Sequence, residues 1–145
     1  MSWRVLVVDG DPRMGEAVRA LLERRGMIAR AVADAETALD ALAAGLTDVV
    51  LTETCLPTRS GLWLLAEVRR RWGRRIPVIL HTAWFPDREQ LEAYRSADAV
   101  LIKPVRADAL VTCIGGVLLG AGDGGPGAPP RGAAPARGEA VGPEV

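Results

Sequence analysis

The chain predicts a doubly wound α/β fold, a five-stranded parallel sheet with helices on both faces. Two observations carry that reading. Short strand-like segments, four of them runs of Val, Leu and Ile and one the less regular 27–32, are each followed by a segment of helical character. Four of these runs stop at a polar side chain: Asp9 after 5–8, Glu53 after 49–51, Thr82 after 78–80 and Lys103 after 100–102. In an open α/β sheet ligands and chemistry collect at the carboxyl ends of the strands. Two carboxylates, a hydroxyl and an ammonium are therefore expected to converge in one crevice.

The elements follow in order. Residues 4–8 form the first strand, an aliphatic run of the kind buried on both faces. Asp11-Pro12 opens the first helix, with Asp as N-cap and Pro at the first helical position. Met14, Val18, Leu21 and Leu22 give it an apolar stripe, and Gly26 ends it. Residues 27–32 make a second, less regular strand. Asp34 caps a second helix carrying Leu39, Leu42 and Ala43, closed by Gly45. The third strand covers 48–51, and a loop leads through Gly61 into a third helix over 60–72. Its apolar side is Leu64, Leu65, Val68 and Trp72. The fourth strand covers 76–81, with Pro77 near its start, where a missing N–H is tolerated. A short polar helix is expected over 86–95, a fifth strand over 99–102 and a fifth helix over 106–118.

Composition bounds the function classes. With 145 residues there is room for one real core, so residues 1–120 are assigned to a single domain. Hydrophobic residues at 49% and charged residues at 25% fit a soluble globular protein. The formal net charge of zero gives no field to draw the chain to nucleic acid or anionic lipid. No apolar stretch reaches bilayer-spanning length, and the first strand starts too early to leave room for a signal peptide; a cytoplasmic protein is expected. Cys55 and Cys113 share no short spacing and suit reduced thiols better than a disulfide or zinc site. Lys103 is the sole lysine among many arginines. Residues 121–145, rich in Gly, Pro and Ala and without an aromatic side chain, are expected to be a disordered tail.

Four pieces, in this order and at these separations, carry a family resemblance. They are Val-Leu-Val-Val-Asp-Gly-Asp-Pro at 5–12, Asp48-Val-Val-Leu-Thr-Glu-Thr-Cys-Leu-Pro57 with Gly61, Val78-Ile-Leu-His-Thr-Ala83, and Lys103-Pro104. Over roughly residues 3–119 the chain resembles the receiver domain of bacterial response regulators. The resemblance implies the flavodoxin-like strand order 2-1-3-4-5, a phosphoryl group carried on an aspartate after the third strand, and Mg²⁺ held by an acidic cluster. It assigns Asp9 and Asp11 to the acidic pocket, Thr82 and Lys103 to switch or phosphate contacts, and Asp9, Glu53 and the Cys55 backbone carbonyl to any metal. A cis bond before Pro104 is common in the family, whereas X–Pro statistics alone favour trans.

Three positions depart from the family pattern. Gly10 stands where typical members place the second acid, a direct metal ligand. Glu53 replaces the phosphoacceptor aspartate. Val100 replaces the aromatic residue, three before the lysine, whose ring rotates on activation. Glu is longer than Asp by one bond, about 1.5 Å, and a misplacement of roughly 1 Å costs on the order of 10²-fold in rate. Mg²⁺ demands near-ideal octahedral oxygen geometry, so losing a carboxylate at residue 10 predicts weak binding at best. Without metal, Lys103 is the obvious counter-charge for Glu53. Glu then mimics a phosphorylated aspartate, with about half the charge.

The expected function is a stand-alone receiver-like module of two-component signalling that is not an enzyme and works without phosphorylation. It is expected to bind a kinase, regulator or effector through the fourth and fifth helices and Trp84/Phe85, as a monomer or weak homodimer, without nucleic acid or membrane. The rival is a conventional Mg²⁺-dependent phosphoacceptor. A flavodoxin-like nucleotide or flavin binder would need a phosphate-cradling turn, and Asp9-Gly10-Asp11 would repel phosphate.

Several residues have two readings. Asp11 is a helix cap or a pocket ligand. His81 is a structural residue or, beside Thr82, a catalytic one. The basic run 69–75 is a solvated helix end or a phosphate contact. Trp84 and Phe85 anchor an interface or cover the pocket. Deleting 121–145 should leave the thermal midpoint unchanged within about one degree, because no large apolar side chain there can dock. A drop of several degrees in a thermal melt would show that the segment packs on the domain.

Overall fold

A computed structural model of the protein describes residues 2–120 and the backbone of 136–137. The elements are β1 (Arg4–Val8), α1 (Pro12–Arg24), β2 (Ile28–Val32), α2 (Ala35–Ala43), β3 (Val49–Thr52), α3 (Gly61–Trp72), β4 (Val78–Thr82), α4 (Leu91–Arg95), β5 (Ala99–Ile102), α5 (Ala107–Gly120) and a two-residue β6 (Ala136–Arg137). All strand pairs are parallel, and the sheet order is β2-β1-β3-β4-β5-β6. Its first five strands have the order 2-1-3-4-5 that the family resemblance implies.

Local chemistry sets the helix starts. Asp11 accepts a hydrogen bond from the Arg13 N–H at 3.0 Å, Asp34 from Thr37 at 2.7 Å and Ser60 from Trp63 at 3.0 Å. Gly26 and Gly45, at φ +86° and +83°, turn the chain after α1 and α2 in the left-handed region where a Cβ is disfavoured.

Alternate strand residues feed two cores. Val5, Val7, Leu51, Ile79 and Leu101 pack under α1 and α5, against Leu22, Leu110 and Ile114. Leu6, Val8, Val50, Leu80 and Val100 face the other way, onto α2, α3 and α4 through Leu42, Leu65 and Tyr94. That is why these strands read as unbroken aliphatic runs: both faces are covered. Both cysteines are free, and burial pushes the Cys113 thiol up to about 11.

The basic run is consumed within the fold. Arg69 Nη2 lies 2.6 Å from Asp98 Oδ2, and the same guanidinium donates to the carbonyls of Ser96 and Ile76. Asp98 Oδ2 in turn accepts the Val78 N–H at 2.7 Å, which ties the end of α3 to the start of β4. Arg70 and Arg71 pair with Glu67. Arg69 is thus packed into the fold rather than solvated, while Arg70 and Arg71 stay on the exposed end of the helix.

Two elements differ from expectation. α4 is five residues long rather than spanning 86–95: Asp87 and Gln90 exchange side chain–backbone hydrogen bonds in a turn ahead of it, and Gln90 supplies no side-chain cap to the helix. β6 falls in the segment expected to lack structure; it pairs Ala136 with Leu101 and Arg137 with Ile102 along β5. The rest of the predicted tail lies outside the described residues.

Gly61 fixes the loop after β3. Its N–H donates to the Thr54 carbonyl at 2.8 Å, and a Cβ there would stand 2.0 Å from the Glu53 carbonyl oxygen. Gly61→Ala should therefore destabilise the domain by about 1–3 kcal/mol in urea unfolding. Gly116→Ala, in α5 with nothing within 4 Å of the added Cβ, should stabilise it by about 0.5–1 kcal/mol. Equal effects from the two substitutions would contradict the close approach at Gly61.

Candidate functional site

The sheet register brings the carboxyl ends of β1, β3, β4 and β5 to one rim. Val8 pairs with Thr52, Thr52 with Leu80, and Thr82 with Ile102. The next backbone links continue the rim: Glu53 N–H to the Val8 carbonyl at 2.9 Å and Lys103 N–H to the Thr82 carbonyl at 2.7 Å. The Lys103–Pro104 peptide bond is cis. Asp9, Glu53, Thr82 and Lys103 thus meet in one crevice, and the first three are buried.

Lys103 holds the centre. Its Nζ lies 2.9 Å from Asp9 Oδ2 and 3.0 Å from Glu53 Oε2. The other oxygen of each carboxylate is also used. Asp9 Oδ1 accepts the Asp11 N–H at 2.9 Å, and Glu53 Oε1 accepts the Thr54 N–H at 2.7 Å and the Thr54 hydroxyl at 3.1 Å. The Cys55 N–H reaches the same oxygen at 3.4 Å. Burial presses the Glu53 pKa up, but the Thr82 hydroxyl and the Lys103 ammonium outweigh it and leave the carboxyl below its ordinary range. Burial likewise presses Lys103 down, and Asp9 and Glu53 outweigh it and leave the ammonium above its ordinary value.

The other expected site residues are placed as follows. Asp11 is exposed; its carboxylate caps α1, and only its N–H reaches the crevice. His81 is buried in β4 beside Thr82. Trp84 and Phe85, 62% and 57% exposed, border a groove with Thr54, Cys55, Leu62 and Tyr94. Two contributors escaped sequence reasoning. Thr54 Oγ1 lies 2.7 Å from Thr82 Oγ1, and Tyr94, from α4, is buried with its hydroxyl donating to the Trp84 carbonyl at 3.4 Å. Tyr94 is the only tyrosine in the chain, which was the one available signal.

These donors do not fit Mg²⁺. The facing oxygens of Asp9 and Glu53 are both engaged by an ammonium, and Gly10 contributes no carboxylate. A Cβ on Gly10 would sit 3.0 Å from Pro57 Cδ, so any side chain there needs the ring to give by a few tenths of an ångström. Among the described residues no group of three or more His, Cys, Asp or Glu is arranged to hold a metal ion. No helix among them is long and apolar enough to cross a membrane.

Comparison with known proteins agrees with the fold. The chain is 35% identical over 112 residues to the transcriptional regulatory protein DltR of Streptococcus agalactiae, a match covering 77% of this chain and 50% of DltR. It is 32% identical over 103 residues to an uncharacterized 14.6 kDa protein of Leptolyngbya boryana, covering 70% and 79% of the two chains. The chain thus spans about half the length of regulators such as DltR. Among solved structures, the response regulator TrrA from Thermotoga maritima in complex with Mg²⁺-BeF superposes with a TM-score of 0.74 at 28% identity, covering 80% of this chain and 99% of TrrA. The signal receiver domain of an HD domain-containing protein from Pseudomonas fluorescens gives 0.77 at 23% identity, covering 85% and 99%, a likeness of fold alone. The sequence model of the response regulator receiver domain matches residues 5–115, and the chain belongs to that family of two-component signalling proteins.

Proposed function

We propose that this receiver domain is a cytoplasmic protein-binding module whose state is set without phosphorylation, Glu53 standing in for a phosphorylated aspartate. One observation carries the reading: Lys103 Nζ already lies 3.0 Å from Glu53 Oε2 and 2.9 Å from Asp9 Oδ2. The cation that would neutralise an incoming phosphoryl group is engaged by fixed carboxylates, and no metal-ready donor set accompanies it. The partner is another signalling protein, a kinase, regulator or effector, met through α4, α5 and the exposed Trp84/Phe85. Aromatic side chains of that size commonly anchor protein interfaces.

Incubated with a small phosphodonor and Mg²⁺, the natural protein should gain no phosphoryl group by intact mass. Gly10→Asp with Glu53→Asp should recover some phosphorylation, since Thr82 and Lys103 remain, and Glu53→Asp alone should recover less. Phosphoryl uptake by the natural protein would sink this reading and favour the conventional phosphoacceptor.

The ion pair also makes stability depend on pH in a definite direction. Glu53 has a lowered folded pKa, so its contribution is present above the unfolded value and fades as pH falls through the folded one. Lys103 has a raised folded pKa, so its contribution is present below the unfolded value and fades as pH rises through the folded one. Both are complete between roughly pH 4.5 and pH 10.5. The natural protein should exceed Glu53→Gln in unfolding free energy by a constant margin across that window, shrinking at more acid pH. A margin that grows as pH falls below 4 would contradict the pairing.

A further inference from the structure

The groove beside the two exposed rings has a chemistry of its own. Trp84, Phe85, Tyr94, Leu62, Asp87 and Cys55 line it, around a volume of about 540 Å³. Asp87 is exposed and, among the described residues, forms no ion pair; one of its carboxylate oxygens accepts the Gln90 N–H at 2.9 Å. Aromatic rings with an acid at hand suit a polyproline II segment that carries an arginine. The chain contains one: Pro126-Gly-Ala-Pro129-Pro130-Arg131. We propose that residues 126–131 dock in the groove of the same chain, Arg131 meeting the Asp87 carboxylate, and so cover Trp84 and Phe85 until a partner displaces them. The docking stands on its own observations; its regulatory meaning rests on the functional reading above.

A polyproline II helix has three residues per turn, so Pro126 and Pro129 share one face of it and can rest together on aromatic rings. Such a helix needs neither internal hydrogen bonds nor a core, which suits a segment too rich in Gly, Pro and Ala to fold alone. Arg131, two places after Pro129, brings a guanidinium whose flat face suits an indole and whose N–H fork suits a carboxylate. The path of the chain permits the contact. Arg137 stands opposite Ile102 on β5, and Ile102 opposite Thr82 on β4. At roughly 4.8 Å between neighbouring strands, Arg137 and Thr82 are about 10 Å apart, and Trp84, two residues on, lies within about 7 Å more. From Arg131 to Arg137 the chain spans up to about 19 Å at roughly 3.1 Å per residue, so Arg131 reaches the groove without releasing β6. Tethered in this way, the segment meets the groove at an effective concentration near the millimolar range, and a weak contact is populated. Docking still orders six residues, so the contact is given up on heating. It leaves the thermal midpoint to the domain alone, with or without residues 121–145.

The test uses the whole chain in the cold, at low micromolar concentration and without phosphodonor. It follows the indole ¹H–¹⁵N resonance of Trp84 and the alkylation rate of the exposed Cys55. Cys113, half-buried and with its thiol pushed up to about 11, is the slow internal reference. Pro126→Ala with Pro129→Ala, and separately Arg131→Gln, touch neither core of the domain. Each should move the Trp84 indole resonance and speed Cys55 alkylation by about two- to fourfold, as when a segment docked roughly half to three-quarters of the time is released. Asp87→Asn keeps an oxygen for the Gln90 N–H and removes the charge. It should match Arg131→Gln, and the two together should do no more than either alone. Coincident Trp84 resonances and equal Cys55 rates in the natural chain and the tail variants overturn the proposal. Effects of Asp87→Asn and Arg131→Gln that simply add overturn their contact. Protection of Cys55 that grows with protein concentration overturns it as well, since the segment would then come from a second copy. Failure here is separable from failure of the functional reading. A groove that stays open leaves the phosphodonor result as it was, and phosphoryl uptake by the natural protein leaves the docking result as it was.

Discussion

One ammonium serves two carboxylates at the rim of the sheet, and the surroundings are arranged to make that tolerable. Removing an ion from water costs several kcal/mol even after relaxation, so a buried carboxylate must find charge or donors for both oxygens. Lys103 takes one oxygen of each, and the remaining two are met by N–H groups of Asp11 and Thr54 and by the Thr54 hydroxyl. These partners come from different strands and loops, so the arrangement depends on the register of four parallel strands. It depends equally on Gly61, whose missing side chain lets α3 close against the backbone that carries Glu53.

The departures at residues 10 and 53 are consistent with one another in this light. An acid at residue 10 would put a third carboxylate beside a single ammonium, a charge count that a divalent cation ordinarily balances. With Gly10 the count falls to two negatives against one positive, which hydrogen-bond donors can complete. Glutamate, one methylene longer than aspartate, carries its carboxylate to Lys103 without an intervening group. Each change removes a reason for metal, and together they leave a crevice closed on its own charges.

Much of this was legible from the chain because each legible feature is local. Strands buried on both faces must be aliphatic throughout, and the Asp11 and Asp34 caps announce their helix starts, whereas Ser60, read as the first residue of the third helix, is its cap. Asp9, Glu53, Thr82 and Lys103 stood out because each ends a strand, and parallel strands end together. What could not be read is tertiary. α4 lacks an apolar stripe long enough to mark its bounds, and the pairing of β6 depends on which edge of the finished sheet is open. Thr54 looks like any loop threonine until Thr82 arrives from another strand. The loss of an aromatic residue at Val100 was visible, but the arrival of Tyr94 in the same core cluster was not, since it comes from a separate helix.

The solitary lysine has a chemical consequence for the whole molecule. Apart from His81, arginines supply the other basic side chains, so this chain offers a single side-chain amine, and that amine is the group between Asp9 and Glu53. A reagent or enzyme that acylates lysine side chains has no decoy target on the exterior; it reacts only by reaching the crevice. Acylation there would abolish the positive charge and strand two carboxylates in a low-dielectric site. Among this protein's side chains, lysine acylation is therefore all-or-none: either silent, or a direct strike at the crevice.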